Sequence, residues 1–167
     1  MKLVYASLGC LMVVAAAVAA DPPAPANGLP RPFLAGYTME WKGMNAGTSE
    51  LDLERRPDGR YLYVSRSNAR GLFSLIFRNE ILQSTVVEIT AEGIRPLQYR
   101  GDDGSKKTDR DVSLDFDWTK GVVTGVAEDE AVSLKLSEIA HDPMSIQIAL
   151  IHDLRAGRRP TAYRMVD

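Results

Sequence analysis

The chain has 167 residues, 45% of them hydrophobic and 25% charged, with 20 basic and 22 acidic side chains and a formal net charge of −2. That length suits one domain, and a mixed, slightly acidic charge excludes the basic surface that nucleic-acid binding requires. A single cysteine, Cys10, excludes a disulfide within the chain.

The first twenty residues read as an address. Lys2 supplies a positive start, Leu3 to Val18 an apolar run, and Ala17, Ala19 and Ala20 the small side chains that a signal peptidase accepts around its scissile bond. Residues 1–20 are therefore read as a signal peptide and the mature protein as exported to the periplasm. Leu3 to Ala20 approaches the roughly 20 apolar residues that span a bilayer. The run dissolves into alanine without a positive stop-transfer flank, which argues against a retained anchor. Lipidation at Cys10 fails on position, because the apolar run continues beyond it and Ser7 stands three residues before it. Cleavage near Ala20 would remove Cys10 and leave about 147 residues without a thiol. Stability in an oxidising compartment then rests on packing, and a domain of this size buries roughly 68–70% of its unfolded surface.

Asp21 to Pro32 carries prolines at 22, 23, 25, 30 and 32. Proline lacks the backbone donor and fixes φ, so 21–32 reads as a flexible segment, with a single β-rich domain over 33–167.

From Phe33 onward the hydrophobic period is two, interrupted by turns, as in half-buried antiparallel strands. Tyr37, Met39 and Trp41 alternate with Thr38, Glu40 and Lys42; after a turn through Gly43 to Gly47, Leu51 and Leu53 alternate with Asp52 and Glu54. Pro57, Asp58 and Gly59 supply the next turn, and Tyr61 to Ser67 returns as a third strand. Glu80 to Thr90 is a long strand, Leu97 to Arg100 a short one. In the next, Val112, Leu114, Phe116 and Trp118 face one way while Asp111, Ser113, Asp115 and Asp117 face the other. Val122 to Ala127 and Val132 to Leu136 complete eight strands. The fold expected is mainly β: an antiparallel curved sheet, as a sandwich or an open half-barrel, with one buried α-helix near the C terminus. That helix opens on Asp142 as cap with Pro143 at the first position, and Gly157 terminates it.

Chemistry is harder to find. Beyond the leader the only histidines are His141 and His152, too few and too far apart for a zinc site, and both read as structural. No Gly-x-Ser-x-Gly turn offers a nucleophile, and no glycine-rich phosphate loop is present. Asp109, Asp111, Asp115 and Asp117 form a carboxylate row. Alternate strand residues stand about 6.6–6.8 Å apart, loose for one cation, so a solvated face paired with Arg100, Lys106 or Lys107 is expected. No catalytic residue, metal or cofactor is assigned. Gly71 to Asn79 is different: Leu72, Phe73, Ile76 and Phe77 fall on one helical face, as a helical turn capping the core or as the cover of a cavity. With Tyr37, Trp41, Tyr61, Tyr63 and Trp118 they form the candidate lining for an apolar ligand.

Four pieces in order carry a resemblance: Tyr37 to Gly43 with Ala46-Gly47, Gly93 to Tyr99, Phe116-Asp117-Trp118 with Gly121, and Asp142-Pro143-Met144-Ser145 opening a helix. From Tyr37 to the C terminus the chain resembles the bacterial exported-protein family called domain of unknown function three-one-zero-eight. The resemblance implies a periplasmic, mainly antiparallel β protein and no particular activity. It also implies several further strands after the equivalent of Tyr163 to Asp167, so the domain is expected to be incomplete at its C terminus, with an open edge prone to self-association.

The functional expectation is a non-enzymatic binding or carrier module for an apolar, lipid-like envelope ligand. The alternative is a structural or assembly factor of the envelope that acts through protein contacts. The partner is then an apolar small molecule or an envelope protein, with no nucleic acid and no stable transmembrane anchor after cleavage.

Overall fold

The computed structural model describes residues 30–75, 79–105, 107–136 and 138–166. The expected signal peptide, residues 21–29 of the proline-rich segment, and Ile76, Phe77 and Lys106 lie outside the described residues. Eight strands follow one another: β1 Phe33–Trp41, β2 Met44–Arg55, β3 Tyr61–Ala69, β4 Ile81–Thr90, β5 Gly93–Asp102, β6 Val112–Asp117, β7 Val122–Ala127 and β8 Glu130–Lys135. A 3-10 turn, Gly71–Leu75, lies between β3 and β4, and the helix α1 spans Ser145–Arg155.

Each strand pairs antiparallel with its neighbour in sequence, so the sheet runs from β1 to β8 with no crossover. Of the two arrangements expected, this is the single open sheet. Its outer edges, β1 and β8, pair with no further strand among the described residues. Near the chain end, His141 and Met165 form an isolated parallel bridge, with His141 N donating to Arg164 O at 2.9 Å and Val166 N to His141 O at 2.8 Å.

Strand register builds the core. Leu53, Tyr63, Thr85, Tyr99 and Leu114 are successive cross-strand partners on β2 to β6, and all five are buried. They make one row across the sheet, to which Tyr61, Val87, Ile94, Phe116 and Val123 add further buried side chains of the same core. Fully burying each large apolar side chain is worth about 1.5–3 kcal/mol, so a one-residue slip would turn this row to water. The carboxylates Asp115 and Asp117 stay on the other face, as the alternation predicts.

β5 is longer than expected, because the strand carries Pro96. A proline is tolerated where ladder bonding is interrupted, and here the β4–β5 register shifts between Val86 and Val87 while β6 pairs only with Gln98 to Gly101.

α1 packs on the same face, over β4 and β5. It buries Ser145, Ile148, Ala149 and His152, while Leu150 and Leu154 face solvent. The helix expected to be buried is covered along one stripe, because one sheet offers one surface. Asp142 holds the turn that leads into the helix, its Oδ1 accepting from Met144 N and Ser145 N at 2.8 Å each, and the helix itself begins two residues later than expected, at Ser145 with Met144 as N-cap. The helical hydrogen bonds end on Gly157, whose φ of +72° needs a residue without a Cβ penalty.

Candidate ligand cavity

The row of large side chains stops at β6. On β7 the next partner of Leu114 is Gly125, and Ala127 follows on the same face, so the two smallest side chains of the strand leave a hollow. Gly125 is obligatory in its own right: a Cβ there would collide with the carbonyl of Ser113, so tightly do β6 and β7 approach. Beyond the hollow, β8 raises Val132 and Leu134. The result is a cavity of about 570 Å³ lined by Tyr99, Val112, Leu114, Ala127, Ala131, Val132, Leu134, Pro143 and Val166, with Glu128 and Glu130 as its only charged residues. Both glutamates are exposed and stand at the rim. This volume lies within the range of small-molecule sites, roughly 300–1,000 Å³.

Tyr99 is a buried member of the lining. Its hydroxyl accepts from Gln83 Nε2 at 3.1 Å, and burial, then the charge of Asp142, raises its pKa.

Pro143 lines the cavity from the turn before α1, and its neighbour Asp142 fastens that turn to the sheet. Its Oδ2 accepts from Thr85 Oγ1 at 2.8 Å, a hydroxyl in the core row of β4, and the Asp142 amide donates to Ser145 Oγ at 2.9 Å. A fully buried carboxylate is costly unless its lone pairs are occupied, and here both oxygens accept. Tyr63 OH donates to Gln147 Oε1 at 3.1 Å as a second tie between sheet and helix.

The aromatic side chains named from the sequence are not gathered into one site. Trp41 and Phe73 meet edge to face, ring centroids 6.0 Å apart, beside a small cavity of about 190 Å³ lined in part by Met39, Ala69, Phe73 and Ile81. Tyr37 is exposed on β1, and Leu72 points to solvent. Tyr61 and Tyr63 are core residues under the helix. Trp118 belongs to the turn after β6, stacked on Phe116 at 6.2 Å, with Nε1 donating to Pro96 O at 2.7 Å and the Arg95 guanidinium over its ring. Ile76 and Phe77 lie outside the described residues.

The larger cavity draws on residues that were not singled out. One signal for it was legible: Val112 and Leu114 on β6 and Val132 and Leu134 on β8 alternate in phase. What was not legible was that register and a glycine on β7 would make them face a common void.

His141 is buried, its ring edge-on to Tyr163 at 5.4 Å and its Nδ1 without a hydrogen-bond partner among the described residues; burial pushes its pKa below the ordinary imidazole value. Arg158 Nη2 lies 2.9 Å from His152 Nδ1 and 2.6 Å from Asp153 Oδ1. Tyr163 OH donates to Asp153 Oδ2 at 2.7 Å; burial, then that bond and the aspartate charge, push its pKa to about 12.

The carboxylate row is broken up. Arg100 Nη2 donates to both oxygens of Asp115, at 2.9 and 3.2 Å, as expected of a solvated face, and Asp117 pairs with Lys120 at 2.9 Å. Asp111 turns instead toward Asp102 and Asp103, their oxygens within 4.8 Å of one another, the one group of described residues close enough to share a cation. Burial and then the charges of its two neighbours raise the Asp111 pKa, and Arg110 lies 3.9 Å from Asp103.

An open antiparallel meander, roofed in part by one helix and hollow beside it, defines the class: a β domain with a pocket on its helix-bearing face. The chain belongs to the family described as "Protein of unknown function (DUF3108)", whose model matches residues 36–167. No curated protein and no solved structure matches it. Among the described residues no helix is long and apolar enough to cross a membrane.

Proposed function

We propose that this protein is a periplasmic, non-enzymatic binding or carrier module for an apolar, lipid-like ligand of the cell envelope. The observation that carries the reading is the 570 Å³ cavity with aliphatic walls on β6, β7 and β8. The cavity is open to water, and an apolar chain laid against Leu114, Val132, Leu134 and Val166 would remove apolar surface from that water. Export rests on the Lys2 to Ala20 pattern and is tested by N-terminal sequencing of protein from the periplasmic fraction, which should begin near Asp21.

Native mass spectrometry of protein purified from that fraction tests the ligand. A stoichiometric lipid that leaves under mild activation supports a carrier. A stoichiometric protein partner would instead support an envelope assembly factor. One observation favours that second reading: β1 is an open edge strand that exposes Tyr37, Met39 and Trp41. Turnover lost on replacing His141 or His152 would overturn both.

A further inference from the structure

The cavity's walls and its rim differ in kind, and the rim is of one sign. Glu128 and Glu130 line the opening, with Asp129 between them on the β7–β8 turn. The neighbouring β5–β6 loop adds Asp102, Asp103 and Asp111 at the same end of the sheet, since Val112 pairs with Ala127. Among the described cations, Arg110 lies 3.9 Å from Asp103, Lys107 lies 4.0 Å from Asp109, and Arg164, two residues before Val166, pairs with Glu138 at 3.1 Å. Lys135, the one cation on β8, pairs opposite Val122 at the far end of the strand.

The backbone of the turn makes the charges more telling. Glu128 and Asp129 both adopt left-handed φ values, +53° and +62°, the two-residue hairpin geometry that Asn-Gly satisfies most cheaply. Non-glycine residues there cost about 1–2 kcal/mol each, less where an aspartate bonds locally. Two acids thus occupy positions for which their conformation alone would not select them.

Resting on the carrier reading above, we infer that the cavity takes a single-chain amphiphile with a cationic head. The aliphatic tail lies against Leu114, Val132, Leu134 and Val166, and the head stays in water between Glu128 and Glu130. An anionic head, such as a fatty carboxylate, would meet the carboxylates of Glu128 and Glu130 at the entrance. Because both glutamates are exposed, each contact is screened and modest, and the preference is one of selectivity added to an affinity supplied by the walls.

Isothermal titration of the full purified protein, at low salt and below micelle formation, compares three probes of equal chain length: dodecyltrimethylammonium, dodecyl maltoside and dodecanoate. The cationic probe should bind one to one, roughly tenfold more tightly than dodecanoate, with the neutral probe between them. The Glu128→Gln/Glu130→Gln variant should reduce that ratio to about one, as should added salt. Ala127→Trp, at a lining position paired with Val112, should weaken all three probes about tenfold or more. Equal binding of the three by the unaltered protein overturns the inference and leaves the carrier reading standing. A preference that survives the double variant overturns it as well, since the charge would then reside elsewhere. If none of the three binds, the inference and the carrier reading fall together.

Discussion

Asp142 is the residue on which the helix is hung. With Thr85 Oγ1 on one oxygen and two backbone amides on the other, it joins β4 to α1 across a separation of 57 residues. Asp142→Ala would strand the amides of Met144 and Ser145 in a buried site, and should destabilise by about 3 kcal/mol in urea denaturation. Thr85→Val, which removes only the hydroxyl, should cost about 1–2 kcal/mol. At the β7–β8 turn the sign reverses: Asp129→Gly should stabilise by about 1 kcal/mol, because the left-handed conformation no longer opposes a Cβ. His141 sets a pH dependence. Its folded pKa is depressed by burial from 6.5, so the unfolded chain takes up the proton more readily; its contribution to stability is complete above about pH 6.5 and is lost as the pH falls toward the folded pKa. Urea midpoints at pH 7.5 and pH 5.5 should differ in that direction, and His141→Phe should flatten the difference.

At the scale of elements, β7 determines the shape of the pocket. Gly125→Val should force β6 and β7 apart at Ser113 and cost more than about 2 kcal/mol, with the loss of amide protection concentrated on those two strands. The strands were legible because alternation persists wherever one face is buried: Val112, Leu114 and Phe116 on β6 were assigned correctly down to the face. β5 was read too short, because Pro96 is a breaker by local rules and only the pairing of its neighbours shows that its missing N–H is not needed there. The aromatic side chains misled for a physical reason. Their size marks them equally for core, stack or lining, and register decides among these: Tyr63 is opposite Thr85 under the helix, whereas Trp118 is past the end of β6. The pocket was hidden because it is made by what is small, Gly125 and Ala127, and by three strands whose register no single segment encodes.

The molecule as a whole is a sheet with two ends. β1 presents nine residues, of which only Glu40 is charged, and exposes Leu34, Tyr37, Met39 and Trp41. Natural sheets blunt such edges with lysine, proline or a bulge, and here a register irregularity between Met39 and Glu40 disturbs only the last turn of the ladder. Light scattering coupled to size exclusion should show concentration-dependent association, and Tyr37→Lys should restore a monomer without shifting the thermal midpoint. A sharp-melting monomer at all concentrations would show that the edge is already protected.

Strand order equal to sequence order has a kinetic corollary. Each new strand needs only the one made just before it, so the sheet can grow by hairpin addition from its first-made end while the remainder of the polypeptide is still threading through whatever channel delivers it. Loop-closure entropy is small at every such step, and the one tie that must wait is the grip of Asp142 on Thr85, available only after the last strands are in place. A stalled chain that ends before Asp142 would therefore carry a nearly finished sheet whose greasy face has not yet received its lid, the interval in which a holdase would matter most.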